Sequence, residues 1–352
     1  MSNREEIELS PGYRISRVVR GGWQLAGGHG PIDRNKVVAD LLVSCEEDLC
    51  TFDCADIYTG VEDLLGQLRT AVIRRGATDL LARIKIHTKF VPDLHLLPTL
   101  TKADVYNAID RSLRRLRMER LDLVQLHWWD YELGNYVEAA QWLKELQQEG
   151  KITLIGGTNF DTSHTKELLK AGIPLTSMQV QYSLLDARPD HGLTELCKSQ
   201  RVHLLCYGTV AGGFLSDAWL GRSEPFAPFE NRSLTKYKLI VEEFGGWALL
   251  QELLRTLRSI ADDHGVDIAT VASRALLERP QVSAVIVGAR NLKHLAANLA
   301  ILDLRLSAQD LARIDNVLRQ RRGPKGDVFT LERDRSGPHG SIMKYDLNRL
   351  AS

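Results

Sequence analysis

The 352-residue chain contains no run of about 18 apolar residues, so it offers no membrane-spanning helix. Its opening residues, Met1 to Glu6, have no apolar core and do not read as a signal peptide. Neither sign of charge is in excess: 45 Lys and Arg stand against 45 Asp and Glu, which argues against a nucleic-acid footprint or a membrane-surface patch. Cysteine is scarce and odd in number at five, with no Cys-x-x-Cys pair, so neither a disulfide framework nor a thiolate metal site is indicated. The economical reading is a cytoplasmic protein with reduced thiols and no metal. Repeats and low-complexity tracts are absent. A Gly-x-Gly-x-x-Gly phosphate fingerprint is also missing, since Gly27-Gly28-His29-Gly30 has the wrong spacing.

What is present is an alternation of strands and helices. Residues 7 to 15 predict a hairpin around Ser10-Pro11-Gly12, because Pro then Gly suits the centre of a type II turn. A short strand from Val18 runs into Gly21-Gly22-Trp23. Val37, Val38, Leu41, Leu42 and Cys45 share one helical face, and Thr51 to Cys54 is the next strand. A helix near 61–75 leads to the strand Ile84 to Lys89. Thr101 and Asp104 form a capping-box signal for a helix expected to bury Val105, Ala108, Ile109, Ser112, Leu113 and Leu116. The strand Leu121 to His127 follows, then a helix stopping at Gly150. Further strands are expected at 152–156, 177–181, 202–207 and 282–287.

About eight strands, several continuously apolar, imply a parallel sheet buried on both faces. With the open nucleotide-binding sheet disfavoured, the expected fold is a (β/α)8 TIM barrel over residues 1–321, N-terminal hairpin included. Residues 211–246 lengthen the interval before the last strand and read as a long loop of the kind that makes lids or binding segments. A helix from Trp247 to Asp262 follows it. A further helix begins after Ser307. The tail, 322–352, has no periodicity and is either disordered or folded over the barrel mouth.

In such a barrel, chemistry sits where the strands end. Asp53, Lys89 and His127 stand at the ends of the second, third and fourth barrel strands, and Tyr58 follows Asp53 closely. A tyrosine hydroxyl is a weak acid with a pKa of about 10, and a neighbouring ammonium lowers it. A carboxylate keeps that ammonium charged and placed, while a histidine can orient a carbonyl oxygen. Each residue has a plain alternative: a buried Asp53–Lys89 ion pair, a core histidine, and rim packing for Trp128 and Trp129. Cys54 reads as packing, and His29, His87 and His203 suggest no function.

The stretch Phe52-Asp53-Cys54-Ala55-Asp56-Ile57-Tyr58 resembles the Asp-Thr-Ala-x-x-Tyr segment of the aldo-keto reductase family, with Cys54 in place of Thr. Lys89 and His127 match its other catalytic positions. The resemblance implies that Tyr58 is the general acid, that Lys89 and Asp53 tune it, and that His127 orients the carbonyl. It also implies that the hairpin closes the barrel floor. Implied nicotinamide contacts are Thr158 and Asn159 at a strand end, Gln181, and Tyr207 as a stacking aromatic. Gly22, Trp23, Asp53, Gly208 and Leu215 complete that end of the cofactor. Gly288, Arg290, His294 and Asn298 fall on the adenosine-phosphate positions, where a helix N-terminus suits phosphate. The segment Gly208 to Leu215 lacks the family's Ser-Pro, and His294 replaces its usual Arg or Gln. Arg290 favours NADP(H) over NAD(H) by pairing with a 2′-phosphate. Trp23, Tyr58, His127 and Trp128 are the expected substrate pocket. The implied activity is reduction of an aldehyde or ketone. Two alternatives stand beside it: an NAD-linked sugar or polyol dehydrogenase, and a cofactor-sensing regulatory subunit. The expected partner is a small carbonyl or alcohol substrate, with no pattern bearing on oligomeric state.

Overall fold

The structure, a computed structural model, describes residues 4–26 and 30–348, so most of the Gly27-Gly28-His29-Gly30 stretch lies outside the described residues. An antiparallel hairpin, β1 (Glu6–Ser10) and β2 (Tyr13–Ser16), turns at Gly12, whose φ of 76° is the left-handed value the turn requires. The strands β3 (Val18–Gly21), β4 (Thr51–Asp53), β5 (Lys85–Phe90), β6 (Leu121–His127), β7 (Ile152–Thr158), β8 (Leu175–Gln181), β9 (His203–Tyr207) and β10 (Val282–Gly288) follow. They pair in parallel in chain order, and β10 returns to β3, closing an eight-stranded barrel. The hairpin buries Leu9, Tyr13 and Ile15 against Val19, Leu123, Leu154, Leu205, Ala284 and Ile286, which seals the N-terminal end of the barrel.

The surrounding helices are α1 (Arg34–Glu46), α2 (Val61–Arg74), α3 (Thr78–Arg83), α4 (Lys102–Leu116), α5 (Tyr136–Gln148), α6 (Thr162–Lys170), α7 (Leu193–Gln200), α8 (Arg232–Phe244), α9 (Trp247–His264), α10 (Ile268–Leu277), α11 (Leu295–Asp303), α12 (Ala308–Leu318) and α13 (Thr330–Arg333). Their starts follow the expected chemistry. Thr101 and Asp104 cap α4 reciprocally, as Ser307 and Asp310 cap α12. Gly265 ends α9 in the left-handed region. No helix among the described residues is long and apolar enough to cross a membrane.

One expectation changes. The 211–246 stretch is not all loop: Asn231 caps α8, which buries Tyr237, Ile240, Val241 and Phe244 on one face against α9 and α10. The tail is ordered through Asn348 and folds over the barrel mouth. Phe329 packs edge-on to His127 at 5.4 Å between ring centroids, and Tyr345 does the same to Trp129 at 5.2 Å. Arg333 donates to the carbonyls of Trp128 and Asn159 at 3.0 and 2.9 Å, and the Asn348 side chain donates to that of Val91 at 2.8 Å.

Candidate active site

The C-terminal ends of the strands open into a cavity of about 890 Å³. Asp53 is carried there by β4 and Lys89 by β5, and the two strands are in register at Asp53 and His87. The Lys89 ammonium donates to both Asp53 oxygens at 2.8 and 2.7 Å and to the Cys54 carbonyl at 2.8 Å. Burial works against the Lys89 charge, but Asp53 and Tyr58 outweigh it and lift the pKa above that of an ordinary lysine. The same ammonium lies 5.0 Å from the centroid of the Tyr58 ring. The opposite face of the motif is fixed by Asp56, whose carboxyl group accepts from the Val91 amide at 3.2 Å. Close packing permits this geometry only because Gly22 has no side chain: a Cβ there would lie 2.9 Å from the Asp53 carbonyl.

Tyr58 departs from the simple expectation. Burial raises its pKa to about 12, and the Lys89 ammonium offsets that only in part. The phenol is therefore held protonated throughout the neutral range.

His127 is neutral as well. Burial, with Arg333 adding to it, pushes its pKa down to about 3. Its Nδ1 lies 3.2 Å from the Thr158 carbonyl, which can only accept, so Nδ1 carries the ring proton and Nε2 presents a lone pair. No described residue hydrogen-bonds that Nε2.

The cavity brings together Trp23, Asp53, Tyr58, Lys89, His127, Thr158, Asn159, Tyr207, Gly208, Gly288, Arg290, His294 and Asn298 from the sequence-derived set. Tyr207 donates to the Asn159 Oδ1 at 2.8 Å, which fixes that amide and turns its NH2 the other way. Four residues of the set fall outside the lining. Gly22 commits its amide to the Asp53 carbonyl at 2.8 Å. Leu215 is fully buried in the helical core formed by α8, α9 and α10. Trp128 is adjacent in sequence to His127 and so projects to the other side of the strand end; it is fully buried, with its indole donating to the Leu133 carbonyl at 3.0 Å. Trp129 takes the lining position instead, 4.2 Å from the His127 ring. Gln181 gives its amide to Asp186 at 2.7 Å, drawn by the turn after β8. Gln179, one residue pair lower on the same face, lines the cavity and donates to Asp53 at 2.6 Å.

At the far end, Arg290, Lys293 and His294 gather where the chain enters α11, with Gly288 leaving room for Gln24. The Asn298 amide nitrogen is buried with no hydrogen-bond partner among the described residues. The charges of Arg290 and Lys293 beside helix-start amides suit an adenosine phosphate. Elsewhere, Asp93, His95 and Asp346 bring ligand-type atoms together, but they tie the tail to the segment after β5.

The sequence profile of the Aldo/keto reductase family matches residues 17–319. The chain is 24% identical to aldo-keto reductase YhdN of Bacillus subtilis over 87% of its own length and 91% of that protein. It is 23% identical to the NADH-specific methylglyoxal reductase of Escherichia coli, over 84% and 92% of the two chains. A shorter likeness, 31% over 175 residues, is to flagellar radial spoke protein 5 of Chlamydomonas reinhardtii, of which it spans only 33%. Among solved structures, the glycerol dehydrogenase AKR11B4 of Gluconobacter oxydans superposes with a TM-score of 0.72 at 21% identity, covering 90% of this chain and 96% of that one. The thermostable aldo-keto reductase Tm1743 gives 0.69 at 24%, covering 89% and 99%.

Proposed function

The chain belongs to the aldo/keto reductase family, and from that membership we propose that it is an NADP(H)-dependent oxidoreductase that reduces an aldehyde or ketone to the alcohol. The observation that carries this reading is the Lys89 ammonium held between Asp53 and the Tyr58 ring, beside His127, in one cavity that continues to Arg290 and His294. When bound, the nicotinamide supplies the hydride. Thr158, Asn159 and Gln179 offer the polar groups for its carboxamide, and Tyr207 a stacking face. Arg290, Lys293 and His294 hold the adenosine phosphates.

Tyr58 is the proton donor to the carbonyl oxygen. Its raised pKa keeps the phenol loaded, and Lys89 stabilises the phenolate left behind, taking its own charge support from Asp53. With Nδ1–H committed to Thr158, His127 holds a substrate or product hydroxyl through its Nε2 lone pair rather than donating to the carbonyl. Trp23 and Trp129 wall the reacting end, and Phe329 of the tail covers it.

The test is NADPH consumption with a panel of neutral and charged carbonyls, beside the Tyr58→Phe variant. No turnover with any of them, in either direction, refutes the reading. The acceptor character of His127 Nε2 favours a second reading, an NAD-linked dehydrogenase of a sugar or polyol, whose hydroxyl it would receive. Comparing NAD and NADP affinities by tryptophan fluorescence separates the two.

A further inference from the structure

Lys236, the fifth residue of α8, lines the cavity from the side covered by the tail. Its ammonium stands over three aromatic rings: Tyr207 at 5.5 Å, Tyr237 at 5.6 Å and Phe329 at 5.9 Å from the ring centroids. Such a cage stabilises a cation without using its three N–H donors. The nearest carboxylate oxygen, Glu332 Oε1, is 3.7 Å away, beyond hydrogen-bond distance. That carboxylate is already taken: Arg188 donates to one oxygen at 2.8 Å and to the other at 3.0 Å. Arg188 also holds Asp186 at 2.8 Å.

A second cation stands on the same tail ring. The Arg333 guanidinium is 5.2 Å from Phe329, and its Nε and Nη1 have no partner among the described residues. Lys236 and Arg333 thus both face the Phe329 ring. Since Phe329 packs on His127 at 5.4 Å, these two cations lie one ring away from the reacting groups.

We propose that Lys236 is an oxyanion-binding residue at the reacting end of the cavity, and that it selects carbonyl substrates bearing a carboxylate or phosphate group. The substrate assignment rests on the carbonyl-reductase reading. The same donors could meet the cofactor's diphosphate, so the experiment distinguishes the two sources.

Wild type, Lys236→Met and Lys236→Arg are titrated with succinate, inorganic pyrophosphate and NADPH by tryptophan fluorescence, and KM and kcat are measured for 4-oxobutanoate and for butanal. Glu332 keeps both bonds from Arg188 in each variant, so the tail remains anchored. Lys236→Met is expected to weaken succinate and raise the KM for 4-oxobutanoate by about tenfold, the loss of one charge-assisted bond. The butanal KM and NADPH affinity stay within about twofold, and Lys236→Arg restores the anion response. If pyrophosphate and NADPH weaken while the two aldehydes change in parallel, the oxyanion is the cofactor's. Unchanged binding of every oxyanion overturns the site. Should wild type turn over no carbonyl, the reductase reading falls, while the succinate and pyrophosphate titrations still decide the oxyanion site.

Discussion

Glu332 in the tail and Arg188 in the segment after β8 form a bidentate, fully buried ion pair across 144 residues of sequence. Burial by itself raises the pKa of a carboxyl group, but Arg188 and Lys236 override it and hold Glu332 down to about 2. The pair fastens the tail that carries Phe329 onto His127 and Arg333 onto the Asn159 carbonyl. Removing one member of a buried pair costs about 3–5 kcal/mol when the other is left uncompensated, and less here because Arg188 keeps Asp186 at 2.8 Å. Glu332→Gln is therefore expected to lower stability toward urea by less than about 3 kcal/mol and to open residues 322–348 to protease. Wild-type resistance at both readouts would show that the tail is held by its aromatic contacts instead.

The Tyr58 assignment makes a prediction in rate and another in pH. Tyr58→Phe keeps the ring against Trp23, 5.2 Å away, but removes the proton donor. Turnover should fall by about 10²- to 10⁴-fold while NADPH affinity stays within about threefold. Because the phenol titrates near 12 and His127 near 3, kcat for reduction is expected to be flat between these values with respect to both groups. A limb between pH 6 and 7 (near the ordinary histidine value of about 6.5) that disappears in His127→Gln would refute the neutral tautomer.

Gln179 and Gln181 separate by function in the same way. Gln179→Ala removes a 2.6 Å donor from Asp53 inside the cavity, so it is expected to weaken nicotinamide binding and lower kcat. Gln181→Ala loses its bond to Asp186 outside the lining and should cost stability, at about 1 kcal/mol, with KM for cofactor unchanged. Equal effects of the two on cofactor affinity would count against the placement.

Those two glutamines also mark where sequence reasoning runs out. Gln179-Val180-Gln181 puts the same side chain on the same strand face twice, and period-two logic cannot choose between them. The choice is made by Asp186 in the following turn. Trp128 and Trp129 pose the converse case: alternation past His127 already assigns them to opposite sides, and that signal was sufficient to pick Trp129. Helix α8 was also readable, since Tyr237, Ile240, Val241 and Phe244 follow helical spacing, but the Gly- and Pro-rich residues before Asn231 obscure it. Asp53, Lys89 and His127 were legible because each stands at or next to the C-terminal end of a barrel strand and parallel closure brings strand ends together. The order of the tail had no local signal, because Glu332 and Arg188 meet only in the folded chain.

His87 provides a test on the barrel floor, away from the chemistry. It is fully buried, stacked 6.2 Å from the Tyr13 ring, and no described residue hydrogen-bonds either ring nitrogen. Burial, with a smaller effect from Lys89, pushes its pKa down to about 3 from the ordinary 6.5. Above 6.5 the imidazole is neutral in both folded and unfolded chains and adds no pH dependence. Between 6.5 and 3 the unfolded chain binds a proton that the folded chain does not, so stability falls with falling pH at about 1.4 kcal/mol per unit. Asp56, raised to about 8, and Glu332, lowered to about 2, add their own slopes, but these are common to wild type and a His87 variant. His87→Leu is close in volume and carries no proton. Its stability relative to wild type is therefore expected to be about 2 kcal/mol more favourable at pH 5 than at pH 7, as read from urea unfolding at the two values. The same difference at both would show that His87 takes up a proton in the folded barrel as readily as in the unfolded chain.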